Sequence, residues 1–264
     1  MVNRAKTSRI SVVTGAASGI GRATKELLEA RGETVIGVDL LGAEIEADLA
    51  VAEGRDTLAR EVTARADGRI DAVYAVAGLS DPTPRTGAVN YFGMVATLTS
   101  LRPLLARSAA PRAVAVSSMA AVYPVDEELI TAMLADDEPT ATRRAEQLVA
   151  EERGHLIYTT SKRAISRWVR RHAPTAEWAG ASIALNAIAP GVVATPMSTP
   201  FTTTEKSKAG LLRQFPMPLN GIAPPEAVAE VLAWLGSVTN THLCGQILYI
   251  DGGGDAVVRG DTAW

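Results

Sequence analysis

"ISVVTGAASGIG", residues 10 to 21, joins an apolar, β-branched run to a turn with glycines at 15, 19 and 21. β-Branched side chains favour a pleated, extended backbone, so Ile10 to Thr14 reads as a strand. Arg22 to Arg31 follows with helical character. Between them the spacing G-x-x-x-G-x-G lets the chain turn tightly and its backbone approach a pyrophosphate, whose charge is favoured by the positive end of a helix. Tight strand-to-helix packing would ask for similar glycines, and the next strand separates the two readings. "TVIGV" (Thr34 to Val38) runs into Asp39, 39 − 21 = 18 residues beyond Gly21. An acidic side chain at about that distance reaches the adenosine ribose of a dinucleotide. There it accepts from the 2′-hydroxyl of NAD and repels the 2′-phosphate of NADP. Leu40, Leu41 and Gly42 offer no cation to reverse the preference, and Arg22 leaves a small opening for NADP.

Outward from this unit, apolar β-branched runs alternate with longer segments of helical period. The runs are "DAVYAVA" (Asp71 to Ala77), "AVAVS" (Ala113 to Ser117), "SIALNAIA" (Ser182 to Ala189) and "QILYI" (Gln246 to Ile250), with a short strand at "AEIEA" (Ala43 to Ala47). The alternation predicts a Rossmann-type α/β fold: a doubly wound, parallel, seven-stranded sheet covered by helices on both faces. No repeat or linker divides the chain, and 264 residues with 47% hydrophobic composition suit one domain spanning 1–264. A net charge of -3 gives no basic field for nucleic acid, so a small molecule is the expected partner. The single Cys244 and three scattered histidines give neither a disulfide nor a metal site. With no long apolar run for a membrane and no apolar leader before Ile10, a cytoplasmic location is expected.

Further along, "GHLIYTTSKRA" (Gly154 to Ala164) places Tyr158 and Lys162 four residues apart, on one face of a helix. A phenol is a poor base at neutral pH, with a reference pKa of about 10. A neighbouring ammonium favours the phenolate, so Tyr158 is expected to exchange a proton with an alcohol or carbonyl.

These motifs, with "VNYFG" (Val89 to Gly93), "VSSMA" (Val116 to Ala120) and "APGVVATPM" (Ala189 to Met197), occur in an order that resembles the short-chain dehydrogenase/reductase family over nearly the whole chain. The resemblance implies an NAD-dependent oxidoreductase with Ser118 orienting the substrate oxygen and Tyr158 as acid/base. It implies that Lys162 holds the nicotinamide ribose and lowers the tyrosine's pKa, and that Asn90 anchors a water leading to Lys162. Ser117 is left to capping the strand. For the cofactor it implies Gly15, Ser18, Gly19, Ile20 and Gly21 in the first turn, and Asp48 with Leu49 beside the adenine. Ala77 and Gly78 come next, against the ribose. Pro190, Gly191, Val193 and Thr195 complete the set around the nicotinamide. Tyr158 and Lys162 contribute to cofactor binding as well. "AVAG" (Ala75 to Gly78) departs from the family's usual N-N-A-G, so the asparagines that stabilise the central sheet there are absent.

Ser118 and Tyr158 are 158 − 118 = 40 residues apart, well beyond the family's usual spacing. The surplus, about 124–153, is charged and carries Leu129, Ile130, Met133, Leu134, Leu148 and Val149, which predict two amphipathic helices broken at Pro139. With "GVDL", "ADLA" and "DGGGDAV", this insertion resembles the bacterial 3α-hydroxysteroid dehydrogenase/carbonyl reductase type, which implies a homodimer in place of a tetramer. A second long segment, about 195–219, is a candidate substrate lid. Its Met197, Phe201, Leu211, Leu212, Phe215 and Met217, with Val122, Tyr123 and Leu156, suggest an apolar wall for a bulky hydrophobic secondary alcohol or ketone. A 3α-hydroxysteroid fits such a wall, as does a terpene, small cyclic or xenobiotic alcohol. A noncatalytic NAD-binding sensor is the alternative from another class. It has no chemical need for Asn90, Ser118, Tyr158 and Lys162 together.

Overall fold

The alternation of apolar runs and helices closes into one parallel sheet in the computed structural model, which describes residues 8–262. The ends of the 1–264 span, residues 1–7 and 263–264, lie outside the described residues. The strands are β1 (Ile10–Thr14), β2 (Thr34–Asp39), β3 (Ile45–Glu46), β4 (Ala72–Ala75), β5 (Arg112–Val116), β6 (Ala184–Pro190) and β7 (Ile247–Ile250). They lie in the order β3-β2-β1-β4-β5-β6-β7, every pair parallel.

Successive strand residues point to opposite faces, so each side of the sheet grows its own core. On one face, Val13, Tyr74 and Val114 pack with Leu28 of α1 (Gly19–Ala30) and with Val228 and Leu232 of a later helix, Pro225–Leu235. On the other, Val12, Val38 and Val73 pack under α2 (Ala52–Arg65), α4 (Met94–Leu105) and the long helix His155–His172. A one-turn α3 (Pro84–Gly87) and a π-helical turn (Ala88–Gly93) lead into α4. Strand order reverses between β1 and β4, and such a switch point opens a crevice at the carboxyl ends of the strands.

Several strand ends shift by a residue or two from the sequence reading, β3 shrinking to Ile45–Glu46, and two of the shifts have a visible reason. β4 stops at Ala75 because the Thr14 hydroxyl accepts from the amides of Val76 (3.0 Å) and Ala77 (3.1 Å), drawing both out of the ladder. That bond ties β1 to β4 where the usual asparagines are absent. β6 starts at Ala184, since Ser182 is in the left-handed region (φ 62°) and cannot belong to a strand.

The insertion forms α5 (Glu127–Leu134) and α6 (Glu138–Ala150), followed by α7 (His155–His172). Its break lies at Asp136, which takes a φ of 58°, rather than at Pro139. Asp137 caps α6 by accepting from the Thr140 amide (3.0 Å), and Pro139 sits in the first turn, where a missing N–H costs nothing. Leu129, Ile130, Met133 and Leu148 are buried, three of them in the core beneath α4 and α7, so the insertion is part of the folded body. Val149 departs from the expected apolar stripe and is exposed. Two further insertion contacts are charged: Arg144 grips the buried Asp126 (2.7 Å), and Glu138 pairs with Arg55 of α2 (2.7 Å). The segment expected as a lid is helical, with α8 (Thr199–Thr202) and α9 (Glu205–Gln214). α10 (Pro225–Leu235) and the short α11 (Gly254–Arg259) follow.

Candidate active site

At the crevice, α1 begins at Gly19 behind an extended Ser18 whose side chain forms no cap, and its first turn carries no acidic residue. The helix therefore presents uncapped amides, the arrangement that accepts a phosphate. Two glycines keep this ground clear. A Cβ at Gly21 would lie 2.0 Å from the Gly15 carbonyl oxygen, and one at Gly19, where φ is +50°, would meet the Thr195 side chain at 3.1 Å. The cradle between the glycine turn and Thr195 fits a dinucleotide's pyrophosphate.

Asp39 ends β2 with its carboxylate oriented by the Ala17 amide (2.9 Å) and its neighbour Leu40 (2.6 Å). Arg22 pairs with Glu26 (3.7 Å) on the exposed side of α1, and Lys25 is engaged by Glu44. The turn after Asp39 thus adds carboxylates and no free cation. Asp48 accepts from the Ala50 amide (3.0 Å) and pairs with Arg85 (2.8 Å). Leu49 has its side chain in the core, where it closes against Gly93, so only its backbone is left to meet a ligand.

Helix α7 carries Tyr158 and Lys162 on its inward face. Lys162 Nζ donates to the Val116 carbonyl (2.9 Å) and lies 5.8 Å from the Tyr158 ring centroid. Ser118 caps the 3₁₀ turn Met119–Val122, accepting from the Ala120 amide (3.1 Å), with its hydroxyl 3.5 Å from the Pro190 carbonyl oxygen, and it lines the same cavity as Tyr158. Ser117 points elsewhere: it donates to the Lys162 carbonyl (2.9 Å) and meets the Ser166 hydroxyl (2.8 Å), locking β5 to α7. Asn90, in the π-helical turn, is fully buried. Its amide group donates to the Leu79 carbonyl (3.0 Å) and the Ser161 hydroxyl (3.1 Å), while its oxygen accepts from the Leu79 amide (2.7 Å). A Cβ on Gly78 would meet that oxygen at 3.1 Å and Lys162 Nζ at 3.4 Å, so Gly78 leaves room between them.

Electrostatics here run against the expectation from the Tyr-Lys pair alone. Burial raises the Tyr158 phenol above its ordinary value, opposed by the Ser118 hydroxyl beside it, and burial lowers the Lys162 ammonium to about 8. In the protein by itself, desolvation outweighs the attraction between the two.

These groups open on a cavity of about 320 Å³. Ile20, Gly78, Ser118, Tyr158, Lys162, Pro190, Gly191, Val193 and Thr195 line it, which brings nine of the expected residues together. Gly15, Ser18, Gly19, Gly21, Asp39, Asp48, Leu49 and Ala77 stand outside its wall, and Asn90 lies behind it. Of the expected apolar wall, Met197, Phe201, Leu211 and Phe215 contribute. Met217 instead packs beneath Gly191, its sulfur accepting from the Val192 amide (3.0 Å), and Leu156 joins the core. Sequence reasoning passed over Gln214 at the rim and Arg163 beside Lys162. An exposed glutamine and a helical arginine carry no local signal, since their partners lie far away in sequence.

Comparison with known proteins fits this geometry. The chain is 35% identical, over 95% of its length and 98% of the relative's, to a 3-alpha-hydroxysteroid dehydrogenase/carbonyl reductase of Comamonas testosteroni. The chain belongs to the short-chain dehydrogenase/reductase family. Family profiles agree, matching "NAD dependent epimerase/dehydratase family" over residues 11–197 and "Enoyl-(Acyl carrier protein) reductase" over 140–255. A second family relative, at 30% identity over 97% of this chain and all of its own, is the cis-4-hydroxycyclohexanecarboxylate dehydrogenase of Sinomonas cyclohexanicum. Among solved structures, the 3-alpha-hydroxysteroid dehydrogenase of Pseudomonas sp. B-0831, complexed with NADH, superposes with a TM-score of 0.88. It is 39% identical, with 96% of this chain and 99% of that one covered. As a short-chain dehydrogenase/reductase the protein is an oxidoreductase with a dinucleotide-binding Rossmann fold. Among the described residues no helix is long and apolar enough to cross a membrane.

Proposed function

We propose that the protein interconverts a bulky hydrophobic secondary alcohol, with a 3α-hydroxysteroid as the leading class, and its ketone, using NAD. The observation that carries this reading is the Ser118–Tyr158 hydroxyl pair at one end of an otherwise largely apolar cavity, with Lys162 Nζ behind it. When bound in this cleft, the nicotinamide exchanges the hydride and in its oxidised form adds a positive charge. The chain supplies position and proton transfer. In alcohol oxidation the substrate O–H bond breaks and its proton passes to the Tyr158 oxygen, while the electron pair of the C–H bond leaves as hydride; reduction reverses both. Ser118 donates to the same substrate oxygen and fixes its direction. Lys162 holds the ribose and, as an ammonium, favours the phenolate. The apolar walls exclude water, which strengthens each of these interactions.

Two observations support NAD over NADP and a neutral substrate over a charged one. Asp39 is held at the ribose end with Glu44 and Glu46 following it and the nearest cations already paired. Among the described residues, Lys162 is the only ammonium or guanidinium in the cavity wall, and it is held toward β5. The test is reduction of NAD and NADP, followed at about 340 nm, with the purified protein and androsterone, menthol and cyclohexanol as alcohols. Turnover of androsterone with NAD is expected. Turnover of cyclohexanol alone would keep the chemistry and remove the steroid class, and a preference for NADP would overturn the reading of Asp39.

A further inference from the structure

The wall of the cavity comes from three places distant in sequence: the Ser118 turn, the catalytic helix α7, and the lid helix α9. One residue touches all three. Tyr123 ends the 3₁₀ turn that Ser118 begins, and its hydroxyl donates to the Gln214 carbonyl (2.6 Å) at the last residue of α9. Its ring also meets Phe215 edge-on, with centroids 5.1 Å apart. From the other side, the Arg163 guanidinium on α7 donates to the carbonyls of Tyr123 (3.1 Å) and Ala121. Beyond α9 the lid is tied down by Met217, buried beneath Gly191, and by Leu219, whose amide donates to the Gly252 carbonyl (2.9 Å), but α9 itself carries few anchors. None of the residues of α9 is buried, and the cap of its first turn, Thr204 with Ser207, is internal to the lid.

We propose that Tyr123 is a positioning residue for the substrate pocket, fixing the end of α9 relative to Ser118 so that the apolar wall and the polar pair are held in one frame. Leu211, Gln214 and Phe215 are the lid residues this contact sets in place, and all three line the cavity. A small alcohol held by Ser118 and Tyr158 alone gains nothing from that wall, whereas a long one must lie along it. The discrimination between large and small substrates therefore passes through a side chain outside the cavity lining. This inference rests on the alcohol/ketone reading for its kinetic consequence, but not for the anchoring of the lid.

Tyr123→Phe removes the hydroxyl and keeps the ring. In the NADH-bound protein, trypsin cleavage after Lys206, Lys208 and Arg213, all on α9, is expected to speed up several-fold, with NADH affinity from fluorescence titration unchanged. For androsterone, KM is expected to rise roughly fivefold, the size of one net hydrogen bond, with kcat within about twofold, and kcat/KM for cyclohexanol unchanged. Unaltered cleavage in α9 overturns the proposal whichever alcohol the enzyme uses. So does faster cleavage with no change in KM for an androsterone that is turned over, or an equal loss on both alcohols together with NADH affinity, which marks general destabilisation. If wild type oxidises neither alcohol, the functional reading fails, and the cleavage experiment still decides whether Tyr123 holds the lid.

Discussion

The β1–α1–β2 unit and the stretch from Ser118 to Gln214 build the two halves of one cleft by different means. In the first, the site is made of backbone: uncapped amides at the start of α1, glycines without which the turn would collide with itself, and one carboxylate held by the Ala17 amide. In the second it is made of side chains reaching across the fold, from Lys162 to Val116, Ser117 to Ser166, Thr159 to Pro124 (2.7 Å) and Tyr123 to Gln214. Backbone geometry binds whatever shares a common phosphate, whereas reaching side chains can differ at every position. One half therefore suits a shared cofactor, and the other a particular substrate.

If the two halves are distinct, chemistry and cofactor binding can be separated by substitution. Tyr158→Phe leaves the ring packing and removes the proton carrier, and kcat is expected to fall by at least about a thousandfold, in the upper range of acid–base contributions. NADH affinity, measured by fluorescence, should stay within a few-fold, because the α1 amides and Asp39 are untouched. Residual turnover near that of wild type would remove Tyr158 from the mechanism. Asp39→Ser sharpens the contrast from the other half. The ratio of NAD to NADP affinity is expected to fall by roughly 10- to 100-fold, corresponding to 1.4 to 2.8 kcal/mol of lost discrimination, with kcat at saturating cofactor nearly constant. An unchanged ratio would mean that the 2′ position is read by another group.

The same division explains what was legible in the sequence. All seven strands and the turn at Gly15 to Gly21 could be read because β-branched periodicity and glycine spacing are local. Ser118, Tyr158 and Lys162 could be placed through ordered motifs, and the structure brings them to one cavity. The errors fall where a distant partner decides. Thr14 shortens β4 by capturing two amides. Met217 leaves the expected wall to pack under Gly191. Thr159 and Thr160, between Tyr158 and Lys162, look like spacers in sequence. In the fold they hold the insertion, Thr159 donating to Pro124 and Thr160 accepting from the Asp126 amide (2.9 Å). No period or composition announces those bonds.

At Lys162 the side-chain half pays in stability for its chemistry. Its ammonium is buried with one carbonyl partner, and burial lowers its pKa to about 8, against about 10.4 for a free lysine. Below pH 8 both folded and unfolded chains carry the proton, and the folded state bears the full cost of the buried charge. Between about pH 8 and 10.4 the folded chain releases its proton first, the unfolded state binds more protons, and stability rises with pH. Lys162→Met removes that cost, offset in part by the lost bond to Val116. The substituted protein without cofactor is therefore expected to be more stable than wild type at pH 7 by about 1 kcal/mol, a few degrees in Tm, with the gain gone by about pH 9 and reversed by about pH 10.5, since wild type gains about 3 kcal/mol across that window. Turnover should be severely reduced in the same protein. A lower Tm for the methionine protein at pH 7 would mean that the Val116 contact outweighs desolvation and that Lys162 is a structural tie as well as a functional group. A gain that persists unchanged at high pH would trace to better packing of methionine instead of to charge.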